Sequence, residues 1–326
     1  MEETEQIYIR STIMTDITAV GEILIDLTQS GRNELGIPVF AANPGGAPAN
    51  LAVAAARLGA STAFIGKVGT DSFGTFLRST LMENNVDVSG MITDPVSRTT
   101  LAVVALDRSG ERTFSFYRDP SADVNLRADE IPEEQLKNTK FLHFGSVSLT
   151  TDPARSATLY AAETAKRHGA IISYDPNYRA SLWSDEKTAI LRMLEPLTMV
   201  DVLKVSDEEL PLLAGTEDLE EGSRILADKG IALVLVTLGA KGAFYRFKGA
   251  TGHIPGVKVQ VGDTNGAGDT FFGAALSQLA RFEKLEDVTV SDLEQIITIA
   301  NKAAAITTSR HGAIPAMPTF REVFGE

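Results

Sequence analysis

The run Val261-Gly262-Asp263-Thr264-Asn265-Gly266-Ala267-Gly268-Asp269-Thr270-Phe271-Phe272 joins a strand-like approach, a small-residue turn and an apolar helix start. Upstream, Val257, Val259 and Val261 alternate with Lys258 and Gln260, the period of a half-buried strand. Downstream, Phe271, Ala275 and Leu279 recur on one helical face with Phe272 and Leu276 beside them, so the expected helix is buried on more than one side. Between the two, Gly266, Ala267 and Gly268 keep bulky side chains away from the backbone N–H groups. A helix start offers unpaired N–H groups and about half a positive charge, so the expected occupant is an anion. Asp269 then has two readings. An acid in the first turn answers the helix dipole; an acid beside an anion hole also suits a base that takes a proton while the hole holds negative charge. Asp263, in the same loop, weighs towards the second.

The whole chain has 326 residues, above the common size of one domain, yet α/β folds run this long as a single unit. Its net charge of −13 argues against nucleic acid as a partner, because phosphates in a duplex must be met by excess Lys and Arg. A small anionic ligand therefore needs a local positive pocket. Cysteine is absent, which excludes disulfides, thiolate catalysis and zinc–sulfur sites and fits a cytoplasmic location. His143, His168, His253 and His311 form no i,i+4 pair, so neither a metal site nor a triad is expected on them. No run approaches the ~20 apolar residues of a membrane span, and no membrane partner is expected. Residues 1–14 are polar and acidic, unlike a signal peptide, and read as a loosely ordered N-terminal extension.

From the start of the expected domain, 15–326, Thr18 to Leu27 reads as one nearly continuous apolar strand carrying Asp26 at its edge. A buried acid needs a partner, either a protein group or a ligand hydroxyl. Turn-rich residues follow, then Asn43-Pro44-Gly45-Gly46-Ala47-Pro48-Ala49-Asn50 ahead of a helix over Leu51 to Leu58. These glycines bring backbone close to a ligand or merely cap the helix, and Asn50 adds donors and an acceptor on the first turn. Ser61 to Gly69 reads as a buried strand and Phe73 to Glu83 as a helix. Leu101 to Leu106 and Arg112 to Tyr117 flank a hairpin signal at Asp107 to Glu111. Segments of about 27–42 and 95–120 thus break the βα rhythm and are expected to form a small β-sheet, a candidate lid. The rhythm resumes with strands near 140–144, 170–174, 201–205 and 231–237 alternating with helices, then a hairpin strand over Gly242 to Phe247, and closes with a helix from Ser291 to Thr308. Repeated βα units with apolar strands predict a central, mostly parallel sheet with helices on both faces. In such sheets the site lies beyond the carboxyl ends of the strands. Asp26, Asp175, Asn177, Arg179, Lys204, Thr237 and Asp263 all fall at or past expected strand ends.

Neither common phosphate device is present. Gly66-Lys67 is followed by Val68, so there is no Walker A, and Phe271 stands at the third glycine position of a dinucleotide fingerprint, which disfavours a dehydrogenase. What the chain does contain resembles a known family. Gly46-Ala47-Pro48-Ala49-Asn50 with Gly59 and Gly69 is similar to the first signature of the ribokinase-like carbohydrate kinases, the PfkB family, and Asp263 to Asp269 with Gly273-Ala274 to the second. The resemblance covers 17 to 320 and implies a ribokinase-like fold. Gly45 to Asn50, Phe64 to Gly69, and Asp175-Pro176-Asn177-Tyr178-Arg179 with Leu182-Trp183 look most like bacterial-type fructokinases.

The resemblance implies transfer of the γ-phosphoryl group of ATP to a primary hydroxyl of a sugar, with fructose the expected acceptor. Asp269 would be the base and the N–H groups of Gly266, Ala267 and Gly268 the anion hole. Asp26, Gly45, Gly46 and Asn50 would hold the sugar and Arg179 would approach the phosphates, with Lys204 as the other strand-end cation. Thr237, Gly239 and Gly242 would line the nucleotide site and Asn301 would lie near the base, although a plain strand exit and a solvated helix residue read equally well. Mg²⁺ is implied, with Glu209 as its acid, while Ser206 replaces the family's Asn. K⁺ is implied only for some relatives, and here Asn265 and Ala316 depart from their pattern. A 2-keto-3-deoxygluconate kinase, or a ribokinase or nucleoside kinase with Phe40 and Phe114 as a base wall, would keep Asp269 and differ in the sugar set. A sugar-binding regulatory protein on the same scaffold is the non-enzymatic alternative. Lid sheets can pair between subunits, so a homodimer is the expected assembly.

Overall fold

The computed structural model describes residues 14–106 and 112–325. Residues 1–13 of the expected extension and the hairpin turn Asp107 to Glu111 lie outside the described residues, as does the side chain of Phe114. The strands in chain order are β1 (Thr15–Val20), β2 (Leu24–Arg32), β3 (Pro38–Gly45), β4 (Thr62–Gly69), β5 (Val86–Asp87), β6 (Met91–Asp94) and β7 (Leu101–Leu106). Then come β8 (Arg112–Tyr117), β9 (Thr139–Gly145), β10 (Ile171–Asp175), β11 (Val202–Ser206), β12 (Leu233–Thr237), β13 (Gly242–Phe247) and β14 (Ala250–Pro255). The helices are α1 (Ala47–Arg57), α2 (Ser72–Glu83), α3 (Glu133–Lys137), α4 (Ala154–Arg167) and α5 (Glu186–Leu194). They continue with α6 (Leu210–Ala214), α7 (Leu219–Ala227), α8 (Ala267–Leu279), α9 (Val290–Thr308) and α10 (Phe320–Phe324).

A ten-stranded sheet runs in the order β14-β13-β12-β11-β10-β9-β1-β4-β5, with β6 beside β4. Its pairs are parallel except at the β12-β13-β14 edge. Successive side chains on a strand point to opposite faces, and the apolar strands use both. On β12, Val234 and Val236 join Ala157, Ala161 and Leu226 in one core layer, while Leu233 and Leu235 join Leu51, Phe272 and Ile297 in the other. The expected α/β layering is present. So is the small sheet, four strands ordered β3-β2-β7-β8. Among the described residues no helix is long and apolar enough to cross a membrane.

Two expectations about strands are corrected. Thr18 to Leu27 is not one strand: Gly21 adopts φ +148°, its N–H donates to Ile65 O, and the chain leaves the large sheet after β1 to enter the small one as β2. Asp26 therefore sits on the small sheet, facing back over the ends of the large one. Val257 to Val261 is not a strand either. The hairpin ends at Pro255-Gly256, no strand pairs with 257–261 among the described residues, and Val257, Val259 and Val261 are 44, 38 and 63% exposed. The connection is held instead by Gly262 and Asp263, whose N–H groups donate to Thr308 O near the end of α9.

Helix α8 is buried from Asp269 to Leu279, and this requires close approach to α1. A Cβ on Gly273 would lie 2.7 Å from Leu51 O and 2.9 Å from Ala54 Cβ. Gly273→Ala gains about 1 kcal/mol of helix propensity but overpacks a backbone contact that cannot yield, at about 1–3 kcal/mol. A net loss of up to about 2 kcal/mol is expected in urea unfolding; a raised midpoint would show that the two helices separate without cost.

Candidate active site

The carboxyl ends of β1, β10 and β11, the start of α1, the start of α8 and the inner side of the small sheet enclose a cavity of about 520 Å³. Asp269 is at its floor, 8% exposed, on the first turn of α8. Asn50 Nδ2 donates to Asp269 Oδ2 at 2.8 Å, and Asn177 Nδ2 to Oδ1 at 3.3 Å. Asn177 reaches it from a left-handed conformation, φ +47°, just beyond β10, with its N–H bonded to Asp175 Oδ1 at 3.1 Å. Asp175 Oδ2 in turn accepts from Lys204 Nζ at 2.9 Å. The Asp269 carboxyl is thus clamped by two amides and backed by a buried ion pair. Burial lifts its pKa, opposed by the Asn50 bond and by the charges of Lys204 and Arg179.

Gly266 turns the chain into α8 with φ +73°. Ala267 N–H donates to Thr264 O at 3.3 Å, so of the expected three donors this one already has a partner. Beyond it, the N–H groups of Gly268 and Asp269 have no carbonyl partner among the described residues. A Cβ on Gly268 would stand 3.2 Å from Lys204 Nζ, so the ammonium lies against the open helix start. Burial alone would pull Lys204 down, but Asp175, Glu209 and Asp269 together raise its pKa and keep it charged. Arg179 is exposed at the mouth of the cavity. A positive spot in a chain of net charge −13 is thereby placed where backbone donors are free.

The sugar-sized side is acidic. Asp26 borders the cavity, accepts from Asn265 Nδ2 at 3.4 Å, and is lifted to about 6 by burial. Gly45 permits its position, since a Cβ there would lie 2.5 Å from Asp26 Oδ2. Gly46, at φ +105°, passes so close to β2 that its Cβ would meet Glu22 O at 2.6 Å. Glu22 itself lines the cavity, and burial lifts it to about 7. Its signal in the sequence was an acid inside an apolar run, which is the same signal that marked Asp26. Asn177 is a strand-end residue whose contact with Asp269 sequence alone does not give.

Other expected site residues lie elsewhere. Asn301 is not solvated: it is buried on α9 and its Nδ2 donates to Ile254 O and Pro255 O, both at 3.2 Å, tying the helix to β14. Gly242 is packed at the start of β13, Gly239 faces open space, and Thr237 Oγ1 donates to Val205 O at 3.3 Å. None of these four borders the 520 Å³ cavity. Glu209 is buried with both oxygens engaged, Oε1 by Tyr178 N–H at 2.7 Å and Oε2 by Ser206 N–H at 2.8 Å, so it fixes the turn beyond β11. Its exposed neighbour Glu208 is the acid that reaches the cavity rim. Phe40 is 41% exposed on β3 and is not among the cavity's lining residues.

A carboxyl clamped at a helix start, beyond the ends of a parallel sheet and under a second small sheet, belongs to the ribokinase-like α/β architecture of sugar kinases. The chain belongs to the pfkB family of carbohydrate kinases, whose model matches residues 14–320. It is 44% identical over 311 residues to a probable fructokinase-4 of Arabidopsis thaliana, covering 94% of this chain and 95% of that one. Among solved structures it resembles a fructokinase with bound ATP from Xylella fastidiosa, at TM-score 0.89 and 34% identity, over 96% of this chain and 98% of that one. A Vibrio cholerae fructokinase in fructose-, ADP- and calcium-bound form matches at TM-score 0.87 and 37% identity, over 96 and 99%.

Asp26 connects this site to stability. A carboxyl raised by burial in the fold contributes stability that is present below the unfolded value near 4 and lost as pH rises through the folded value of about 6. Asp26→Asn removes that loss. Its melting temperature at pH 8 is expected to exceed that of the parent by about 2 °C or more, with the gap closing near pH 4. A gap independent of pH would mean that Asp26 is not the group titrating.

Proposed function

We propose that this protein is an ATP-dependent fructokinase, and that residues 15–326 form one kinase domain with the small sheet as its lid. The observation that carries the reading is the Asp269 carboxyl, held by Asn50 and Asn177 beside the free N–H groups of the α8 start. The relatives named fructokinases support the choice of sugar.

Asp269 accepts the proton of the sugar's primary hydroxyl as that oxygen bonds to the γ-phosphorus and the bond to the departing ADP oxygen breaks. Charge on the transferring group faces the N–H groups of Gly268 and Asp269 and the Lys204 ammonium. Arg179, at the mouth, meets the nucleotide phosphates. Asp26 and Asn50 hold sugar hydroxyls, while Thr237, Gly239, Gly242 and Asn301 shape the outer nucleotide side through the β12–β14 edge. Among the described residues no cluster of three or more His, Cys, Asp or Glu forms a cation cage. Mg²⁺ would be held with the ATP phosphates, Glu208 at the rim being the acid available to it while Glu209 fixes the turn. Bound there, the ion neutralises phosphate charge. K⁺ would sit near the segments that carry Asn265 and Ala316. The cytoplasmic location rests on the cysteine-free composition.

An ADP-release assay with magnesium and potassium over fructose, ribose, 2-keto-3-deoxygluconate and adenosine is expected to give the highest kcat/KM on fructose. Asp269→Asn is expected to lower kcat by about 10²–10⁴-fold while fructose binding by calorimetry stays within a few-fold. Binding of fructose without turnover of any of the four by the parent protein would favour the regulatory-protein reading.

We further propose a homodimer through the lid. Edge strand β3 and its turn expose Leu35, Ile37, Val39 and Phe40 at 83, 54, 43 and 41%, an apolar edge suited to a second copy. Sedimentation equilibrium is expected to give the dimer mass, and Ile37→Lys the monomer; a monomer at all concentrations of the parent protein removes the proposal.

A further inference from the structure

Glu22 is 3% exposed and lies in the turn between the two sheets, immediately after the Gly21 break. Its Oε1 accepts Ala47 N–H at 3.1 Å, at the start of α1, whereas Oε2 is buried with no hydrogen-bond partner among the described residues. Three other buried carboxyls at this site are not left so: both oxygens of Asp269, of Asp175 and of Glu209 have donors. Arg118 is the cation whose charge reaches Glu22, but it is committed elsewhere. Its Nε donates to Asp123, its Nη1 to Thr150 Oγ1 and its Nη2 to Val147 O. A buried acceptor left without a donor is destabilising, and a ligand hydroxyl can supply the donor. A second acceptor on the same helix start, Asn50 Oδ1, is also buried and unpartnered. Glu22 and Asn50 both line the 520 Å³ cavity.

The two open acceptors on this wall, Glu22 Oε2 and Asn50 Oδ1, call for an occupant that supplies O–H groups. Resting on the kinase reading above, we infer that Glu22 is a specificity-determining residue that accepts a hydroxyl of the bound sugar other than the one phosphorylated. Glu22 is bonded to Ala47 whereas Asp269 is held by Asn50 and Asn177, so the hydroxyl on Glu22 is a different one from that facing Asp269. Gly46 makes this geometry possible by letting the α1 start press against Glu22 O, which holds the side chain under the cavity.

The test is a cycle between protein and substrate. Glu22→Gln keeps the acceptor for Ala47 N–H and replaces Oε2 with an NH₂ donor. The parent and the variant are titrated with fructose by calorimetry without nucleotide, then assayed on fructose and on each of its monodeoxy analogues that retain the reacting hydroxyl. Glu22→Gln is expected to raise the Kd and KM for fructose about tenfold or more, with the KM for ATP unchanged and the melting temperature not lowered. One deoxy analogue is expected to be poor for the parent and no worse for the variant, because the lost hydroxyl and the lost acceptor are one interaction. Equal, additive losses on every analogue, or an unchanged KM for fructose, overturn the inference while leaving the kinase reading intact. A parent protein that turns over none of these sugars overturns the reading and the inference together. Should the Gln variant be insoluble, Glu22→Met fills the same volume without a polar atom and closes the same cycle.

Discussion

A carboxyl buried at the first turn of a helix has to be satisfied from outside that helix, and here the donors come from distant parts of the chain. Asn50 lies 219 residues before Asp269 and Asn177 lies 92 before it. Each is the product of a separate local structure: Asn50 of the Gly45-Gly46 entry into α1, Asn177 of a left-handed residue beyond β10. Neither hydrogen bond forms unless α1 packs on α8 and β10 ends where it does. The small residues along the α1–α8 contact, Gly273 and Ala54 among them, therefore serve the site as much as the core. Satisfaction of one acid links the layers of the fold.

The same economy governs the passage between sheets. Gly21 breaks what the apolar pattern presents as a single strand, and the break carries the chain from the large sheet to the small one within a few residues. Glu22 and Asp26 fall on either side of the new strand's start, so the hinge of the small sheet is also an acidic wall of the cavity. Any movement of that sheet as a lid moves both acids relative to Asp269.

The layered fold was legible because parallel strands buried on both faces and βα alternation leave strong patterns, and every strand from β9 to β13 falls close to its expected place. Periodicity failed where tertiary partners decide. Val257 to Val261 has the alternation of a strand but no neighbour to pair with, and Thr18 to Leu27 has the composition of one strand but a glycine at φ +148° inside it. Asp269, Asp26, Asn50, Arg179 and Lys204 border one cavity, and each is marked in the sequence by an unusual residue type at a strand or helix end. Glu209 and Asn301 show the limit of that logic. Both are polar residues at suggestive positions, and both spend their hydrogen bonds on backbone, a fact that only the register of neighbouring elements determines. Asn177 is the converse, a residue whose contact depends on its own backbone conformation.

Burial raises the pKa of Glu22, Asp26, Asp175 and Asp269 alike, so at neutral pH the folded chain carries the cost of desolvated carboxyls packed around one cavity. For Asp175 that cost is offset internally by Lys204. For Glu22 and Asp26 it is offset only in part, by the Ala47 N–H and the Arg118 charge for the first and by Asn265 and the Arg179 charge for the second. A ligand that brings hydroxyl donors to these acids relieves a penalty already present in the free protein, so part of its binding energy is the return of stability lost on folding. A ligand lacking a hydroxyl at one of these points leaves the penalty in place, and the discrimination that results exceeds the worth of a single exposed hydrogen bond. The acidic wall is thus unfavourable for the empty fold and selective for the occupied one for the same physical reason.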